Sequence, residues 1–325
     1  MSSQAAPTVL VLEPGYADYA REREVLAPLG AGLLAVPADS DPLPLLRQER
    51  VVALLVRERR IDRALLESAP DLKAVVRYGV GVDNIDLEAA RRLAIAVANV
   101  PDYGAEHEVS ELAVALYLAV ARRLLARDAS LRAGRWGVAQ AEPIPGRRGA
   151  TLGLIGFGKI ARQAAQKFRA LGCGRILVSD PALRASAAEA AGVELSDLDR
   201  LCAEADILSL HAPLTEATRH ILDRRRLALL RPSAIVINVS RGGLIDEMAL
   251  AEALQKGRLF GAGLDVFEQE PPQAGHPLFT APNVVLSDHA AWYSEATVAA
   301  LQGKAAAEVA RVLGGQPPVN WANPW

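Results

Sequence analysis

Residues 151–161 have the sequence Thr-Leu-Gly-Leu-Ile-Gly-Phe-Gly-Lys-Ile-Ala, in which an apolar run enters a glycine turn. The apolar run predicts a buried strand, and the residues after the turn predict an amphipathic helix. Gly156 permits a tight turn, Gly158 lets the backbone approach a phosphate, and Ala161 is small enough for close packing of the helix on the strand. The stretch therefore predicts a dinucleotide-binding turn, although an ordinary glycine turn explains the same residues.

The next predicted strand supplies a second feature of a dinucleotide site. It runs from Arg175 to Ser179 and ends in Asp180, near the spacing expected for an acid that binds the ribose. A carboxylate there accepts hydrogen bonds from the 2′-hydroxyl and repels a 2′-phosphate, so NAD is favoured over NADP. The nearby Arg184 leaves NADP as an alternative cofactor. An Asp before a proline is also typical of an ordinary turn, which is the alternative explanation for Asp180.

Apolar runs alternate with helical stretches on both sides of this turn, which predicts an α/β protein with two doubly wound parallel sheets. The first set of predicted strands comprises Val9–Leu12, Gly32–Val36, Val51–Val56, Leu72–Val76 and Ala94–Val100. The second set comprises Thr151–Ile155, Arg175–Ser179, Ile207–Leu210, Ala234–Val239, Gly261–Leu264 and Val284–Leu286. Between the sets, Glu106–Ala133 predicts one very apolar helix. This helix could be a domain connector, a dimer contact or both, and simple packing between domains is the alternative.

Composition excludes several partners. Among 325 residues, 51% are hydrophobic, and 36 Lys and Arg nearly balance 38 Asp and Glu, so there is no basic field for nucleic acid or a membrane surface. We find no apolar run of about 20 residues and no basic N-terminal export signal, which predicts a cytoplasmic protein. Cys173 and Cys202 lack metal-type spacing, and no metal site is expected.

Three polar residues each follow a different predicted strand in the second half. Arg241, Glu270 and His289 combine a planar cation, a carboxylate and a proton carrier. Each alone fits a surface position, but together they lie in loops on the side where such sheets bind ligands. This layout indicates acid–base chemistry on a 2-oxo or 2-hydroxy acid.

The chain resembles the D-isomer-specific 2-hydroxy acid dehydrogenase family along nearly its whole length. Besides the glycine turn and His289, the matching motifs are Arg77-Tyr-Gly-Val-Gly-Val-Asp-Asn-Ile-Asp86, Leu210-His-Ala-Pro-Leu-Thr215, Asn238-Val-Ser-Arg-Gly-Gly243 and Gly263-Leu-Asp-Val-Phe-Glu-Gln-Glu-Pro271. Within the family, His289–Glu295 is most similar to the C-terminal binding proteins, which are dehydrogenase-like corepressors, and to their bacterial enzyme relatives.

The resemblance implies two domains. Residues 1–101 plus 290–325 would form a flavodoxin-like substrate-binding domain, and residues 102–289 an inserted Rossmann NAD-binding domain. It also implies a homodimer. Substrate would bind between the domains, and their closure would exclude water.

The resemblance also assigns roles. His289 would be the general acid/base, Glu270 the partner that fixes its tautomer, and Arg241 the residue that binds the substrate carboxylate. Further substrate contacts would come from Arg77, Val80, Gly81 and Trp292. Cofactor contacts would come from Gly156, Gly158, Lys159, Ile160, Asp180, His211, Ala212, Pro213, Thr218, Val239, Ser240 and Asp265. Asp265 could instead only order its loop.

Two alternatives stay open at this stage. The chain is predicted to be an enzyme that interconverts a 2-oxo acid and a D-2-hydroxy acid, but an NAD(H)-sensing scaffold that recruits proteins fits the same residues. An aromatic wall of Trp292, Tyr293, Tyr78 and Tyr103 favours an apolar or thioether substrate side chain. Hydroxypyruvate, glyoxylate or phosphoglycerate-type substrates are the alternative. Asp288 stands where the family commonly has proline.

Overall fold

The alternation of apolar runs and amphipathic stretches produces two parallel sheets. The computed structural model describes residues 6–13, 15–48, 50–137 and 143–325. Residues 1–5 lie outside this set, and the expectation of no export signal rests partly on them. The described chain divides into unit 1, residues 1–104 and 294–325, and unit 2, residues 105–293.

Unit 1 is built around a five-stranded sheet. Its elements are β1 (Thr8–Leu12), α1 (Ala20–Leu26), β2 (Gly32–Val36), α2 (Leu43–Gln48), β3 (Val51–Val56), α3 (Arg63–Glu67), β4 (Ala74–Arg77), α4 (Leu87–Arg92), β5 (Ala96–Ala98) and α12 (Glu295–Leu313). The strand order β2-β1-β3-β4-β5, with every pair parallel, is the flavodoxin-like order. Helix α12 begins at a capping box of Ser294 and Thr297 and packs on α1, β3 and β4.

Unit 2 contains a seven-stranded parallel sheet. Its elements are α5 (Ala105–Ala121), α6 (Leu124–Arg132), β6 (Leu152–Ile155), α7 (Lys159–Ala170), β7 (Ile176–Ser179), α8 (Ala185–Ala190), β8 (Glu194–Leu195), α9 (Leu198–Glu204), β9 (Ile207–Leu210), α10 (Arg224–Leu227), β10 (Ile235–Asn238), α11 (Glu247–Gln255), β11 (Gly261–Leu264) and β12 (Val284–Leu286). The order β12-β11-β10-β9-β6-β7-β8 contains the Rossmann arrangement, with its switch point between β6 and β9. The predicted fold class, with two doubly wound parallel sheets, is confirmed.

The prediction of one continuous helix over Glu106–Ala133 is wrong. Helix α5 ends at Ala121 and α6 begins at Leu124, because Arg123 adopts a left-handed conformation with φ of 50°. The guanidinium of Arg123 lies over the ring of Phe260, 5.0 Å from its centroid, and this contact stabilises the break. Glycine and proline are absent from the break, so the sequence carries no local signal for it.

The carboxyl ends of the parallel strands locate the candidate site. Loops after β6, β9, β10, β11 and β12 all leave the same edge of the unit 2 sheet, and the loops after β1, β3 and β4 share an edge of the unit 1 sheet. Ligands of open α/β sheets bind at such edges. Within the described residues, no helix has the length and apolar character needed to cross a bilayer.

Candidate active site

The glycine turn after β6 has the shape that a dinucleotide requires. Gly156 has φ of 87°, and a Cβ there would lie 2.8 Å from the backbone nitrogen of Ala212, so a larger residue is excluded. Gly158 is the N-cap of α7, and a Cβ there would meet no atom within 4 Å. The first helical turn, with Lys159 and Ile160, therefore faces open space where its N-terminus favours a phosphate.

Asp180 is fixed beside this turn. Its carboxylate accepts the backbone N–H of Phe157 at 2.7 Å and that of Ala182 at 2.8 Å. The first bond ties the end of β7 to the glycine turn, so the acid lies at the edge of the open space beside Gly158. A carboxylate has about four acceptor sites, and two remain for ribose hydroxyls. These features fit the adenosine side of NAD.

One side-chain hydrogen bond joins the loops after β9 and β10, and another lies within the loop after β9. The Ser240 hydroxyl donates to the Ala212 carbonyl at 2.6 Å, and the Thr218 hydroxyl donates to the Pro213 carbonyl at 2.7 Å. Val239 directly precedes Ser240 at the end of β10. These residues, all predicted to contact the cofactor, thus come together at the edge of the sheet that carries the glycine turn.

His211 lies at the switch point as a neutral side chain. Burial lowers its pKa from 6.5 to about 4, and its Nε2 lies 2.8 Å from the Ser209 hydroxyl. An uncharged imidazole can pack against an adenine ring without the cost of burying a charge, as its predicted role requires.

Arg241 lies in the loop after β10 in extended conformation, and a 3-10 turn follows at Gly242–Leu244. The carbonyl of Arg241 accepts the Asn238 side-chain amide at 2.8 Å, and its guanidinium donates to the Ser240 carbonyl at 2.8 Å. The backbone of Phe267, after β11, packs directly on this turn, because a Cβ at Gly242 would lie 1.9 Å from the Phe267 carbonyl carbon. The loops that carry Arg241 and Glu270 are therefore in contact.

Glu270 and His289 form the central contact of the site, with 2.6 Å between Glu270 Oε2 and His289 Nδ1. Burial acts to raise the pKa of Glu270, but the hydrogen bond and charge of His289 oppose it. The N–H of Phe267 and the charge of Arg241 add to that opposition, so the pKa of Glu270 lies below its ordinary value. The carboxylate is thus ionised at neutral pH and holds a proton on Nδ1 of His289.

Asp265 orders the turn that carries His289. Its carboxylate is fully buried and accepts the Ser287 hydroxyl at 2.7 Å and the backbone N–H groups of Ala290 and Ala291 at 3.0 Å each. The backbone N–H of His289 donates to the Asp265 carbonyl at 2.7 Å, and His289 has φ of 56°. Burial raises the pKa of Asp265 above its usual value, against these donors. Asp265 therefore orders the loop that carries His289, and its predicted contact with the cofactor stays a prediction.

Trp292 stands close to the same turn. Its indole N–H donates to the His289 carbonyl at 3.0 Å, and its ring meets Tyr293 edge to face at 5.8 Å between centroids. Asp288, the neighbour of His289 in sequence, is exposed.

In unit 1 the predicted substrate residues share the loop after β4. The Arg77 guanidinium is buried and bonded to Glu58 at 2.6 Å, and it folds over Gly79, where a Cβ would lie 1.6 Å from its Nη1. Val80 and Gly81 follow in the loop, where Val80 is exposed and Gly81 is half-buried.

Only part of the predicted aromatic wall could contact a substrate. Tyr78 lies in the interior of unit 1, where its hydroxyl donates to buried Glu22 at 2.7 Å, and Tyr103 is buried as well. Among the residues that the structure describes, no group of three His, Cys, Asp or Glu side chains is placed to hold a metal ion.

Some contacts of the candidate site cannot be predicted from the sequence. The ties made by Asn238, Ser240 and Ser287 involve common polar residues with no spacing signal. Only their position at the ends of predicted strands marks them, because side chains there face the loops of neighbouring strands.

Comparison with known proteins places these observations in a family. Residues 114–291 match the model of the D-isomer specific 2-hydroxyacid dehydrogenase NAD binding domain. The chain is 42% identical to D-3-phosphoglycerate dehydrogenase of Methanocaldococcus jannaschii over 83% of its own length, but that match spans only about half of the relative, 51%. It is 41% identical to glyoxylate reductase of Thermococcus litoralis, covering 75% of this chain and 74% of that one.

A solved structure agrees with the fold. D-lactate dehydrogenase from Aquifex aeolicus, in complex with NAD and lactic acid, superimposes with a TM-score of 0.86 at 26% identity, covering 98% of this chain and 99% of that one. The matched NAD-binding domain and the glycine turn identify NAD as the cofactor. The chain belongs to the D-isomer-specific 2-hydroxyacid dehydrogenase family of NAD-dependent oxidoreductases.

Proposed function

We propose that this protein interconverts a small 2-oxo acid and the D-2-hydroxy acid, with His289 as the general acid/base. The observation that carries the proposal is the 2.6 Å contact between Glu270 Oε2 and His289 Nδ1. Because the carboxylate holds the proton on Nδ1, Nε2 is the ring nitrogen that exchanges a proton with substrate.

The chemistry divides between cofactor and protein. Bound NADH supplies the hydride for the carbonyl carbon. His289 Nε2 gives its proton to the carbonyl oxygen, and the resulting neutral imidazole keeps its hydrogen bond to Glu270. In the oxidative direction His289 takes the hydroxyl proton instead. Glu270 stabilises the protonated imidazole, since its own carboxyl stays ionised.

Arg241 is the proposed anchor for the substrate carboxylate. A planar guanidinium makes two parallel hydrogen bonds with a carboxylate, which fixes the orientation of the adjoining 2-oxo group. Its charge also acts on Glu270, so Arg241 and the Glu270–His289 pair are electrostatically connected within unit 2. Unit 1 is the proposed substrate-binding domain, and Arg77 and the backbone of Val80 and Gly81 are its proposed substrate contacts.

The proposed substrate is an unphosphorylated 2-oxo acid. Trp292, anchored to the His289 carbonyl, supplies an apolar surface next to the acid/base. The relatives named above include a glyoxylate reductase and a phosphoglycerate dehydrogenase, so both substrate types belong in the test. The names of these relatives and of the solved neighbour describe dehydrogenases or reductases, and they lend no support to a corepressor scaffold.

A substrate panel tests this proposal. NADH and NADPH oxidation are measured with phenylpyruvate, 2-oxo-4-methylthiobutyrate, glyoxylate, hydroxypyruvate and 3-phosphohydroxypyruvate. We expect turnover with NADH and a higher kcat/KM for an unphosphorylated compound. Clear preference for the phosphorylated compound contradicts the substrate class, and tight NADH binding without any turnover contradicts the activity.

The protein is proposed to be a homodimer through α6 and the residues after it. Leu124 is 57% exposed, Leu131 55% and Trp136 87%, an unusual concentration of large apolar side chains on one segment. A second copy of the chain is the proposed occupant. We expect light scattering to give twice the monomer mass, and Leu131→Ser with Trp136→Ser to give a monomer. Leu229→Ser, at another exposed leucine of unit 2, is the matched control.

A further inference from the structure

Glu247 is a buried carboxylate at the start of α11. It is only 5% exposed, and capping of the helix falls to its neighbour Asp246, whose side chain accepts the N–H of Ala249 at 2.9 Å. A buried charge is costly unless hydrogen bonds satisfy it. The partners of Glu247 therefore show what the residue stabilises.

Both partners belong to the loop that carries Glu270. Glu247 Oε1 accepts the backbone N–H of Glu268 at 2.8 Å, and Oε2 lies 3.1 Å from Nε2 of His276. His276 Nδ1 accepts the N–H of Leu278 at 3.4 Å, so this nitrogen carries no hydrogen in the neutral ring. Nε2 therefore carries the hydrogen and donates it to Glu247.

One carboxylate thus holds the loop at two points, one on each side of Glu270. Aromatic contacts reinforce the arrangement, because the His276 ring meets Phe267 edge to face at 5.9 Å and lies 5.7 Å from Phe279. Glu270 is linked to the first of these two points, Glu268, because its Oε1 accepts the N–H of Phe267, the residue before Glu268, at 3.0 Å.

We propose that Glu247 is a positioning residue of the reaction, which acts through Glu270 by holding residues 267–276 in place so that the Glu270 carboxylate meets Nδ1 of His289. His276 is the second member of this clamp. The inference rests on the proposed function, because it assigns Glu247 an effect on the step in which His289 transfers a proton. Neither Glu247 nor His276 needs to touch substrate or cofactor for this effect.

A double-mutant cycle tests the proposal. Glu247→Ala is measured in the unaltered protein and in the Glu270→Gln background, by NADH oxidation and by fluorescence titration of NADH. We expect kcat to fall about 10- to 100-fold in the unaltered background, because a misplacement of about 1 Å costs this much. In the Glu270→Gln background the further loss should be under about threefold, because coupled residues are not additive. NADH affinity should change less than about twofold, as a defect confined to this loop implies.

Two further variants separate positioning from loss of fold. Glu247→Gln keeps an oxygen for the Glu268 N–H but turns an NH2 group toward Nε2 of His276, so its kcat should lie between those of Glu247→Ala and the unaltered protein. Glu252→Ala removes an exposed carboxylate of the same helix, paired with Arg224 and Lys256, and should leave kcat unchanged. If Glu247→Ala does not fold, His276→Ala, which removes one of the two contacts, is taken through the same cycle.

The outcomes are distinct. An equal loss in both backgrounds, or a kcat for Glu247→Ala within about threefold of the unaltered protein, overturns the positioning role while leaving the proposed function intact. Absence of turnover by the unaltered protein with every 2-oxo acid in the panel contradicts the proposed function itself, and the role of Glu247 with it.

Discussion

Asp265 holds His289 in place from the neighbouring strand. The carbonyl of Asp265 accepts the His289 N–H at 2.7 Å, and its carboxylate accepts N–H groups from the two residues that follow His289, Ala290 and Ala291. The turn needs this support because His289 has φ of 56°, a region that residues with a side chain seldom occupy. Asp265 therefore fixes the backbone of the turn that carries His289.

Replacing Asp265 with Asn should cost both stability and rate. An amide retains one oxygen and turns an NH2 group toward donors that now lack an acceptor, and each unsatisfied buried group costs about 1–3 kcal/mol. We expect the free energy of unfolding, from urea denaturation, to fall by this amount and kcat to fall at least tenfold. Ser287→Ala removes one donor only and should be milder on both measurements. Unaltered kcat in Asp265→Asn contradicts the loop-ordering role.

Gly242→Ala should disturb the site through packing. The added Cβ lies 1.9 Å from the carbonyl carbon of Phe267, so the loop with Glu270 must move. Overpacking of this kind costs about 1–3 kcal/mol or more, and we expect a lower melting temperature together with reduced kcat. Gly243→Ala is the matched control, because its Cβ lies 3.0 Å from a Leu214 methyl that can rotate away. Equal effects of the two substitutions rule out this explanation.

The neutral state of His211 predicts an acid-sensitive stability. Its pKa is 6.5 in the unfolded chain and about 4 in the folded one, so between these values the unfolded chain binds a proton that the folded chain does not. The free energy of unfolding should therefore fall as pH falls from 6.5 to about 4, by at most about 3 kcal/mol from this group, and then level off. His211→Gln should remove that part of the pH dependence. Parallel curves for the two proteins contradict the assignment.

Asp180 should set the preference for NADH over NADPH. Its carboxylate lies beside the glycine turn, where it would accept ribose hydroxyls and repel a 2′-phosphate. Loss of a hydrogen bond to a charged group is worth about 1.5–3 kcal/mol, so Asp180→Ala should raise the Kd for NADH about tenfold or more. The Kd for NADPH should change less. Asp199→Asn, at a surface ion pair with Arg225, is the control and should leave both constants unchanged.

Much of the fold follows from the sequence because its strands are short apolar runs, most of which are buried in the sheets. Gly32–Val36, Val51–Val56, Ile207–Leu210, Gly261–Leu264 and Val284–Leu286 have the predicted bounds in the structure. Strand β8 escapes prediction, since Glu194–Leu195 is a two-residue edge strand with both side chains exposed. The break at Arg123 escapes as well, because a tertiary contact with Phe260 stabilises it.

The residues of the candidate site also differ in how far the sequence predicts them. The residues proposed to carry the chemistry, Arg241, Glu270 and His289, stand out by type and by their place after strands. The proposed positioning residue Glu247 does not stand out in this way. It is the first residue of α11, and nothing near it in sequence indicates a contact with Glu268 or His276. The predicted closeness to the C-terminal binding proteins, carried by His289–Glu295, stays a prediction.

The most direct test of the account is the rate of NADH oxidation by His289→Asn with the best 2-oxo acid of the panel. Loss of the acid/base should lower kcat by about 100- to 10,000-fold, while the Kd for NADH stays within about threefold of the unaltered protein. A kcat within tenfold of the unaltered protein would contradict the assignment of His289 as the residue that transfers the proton.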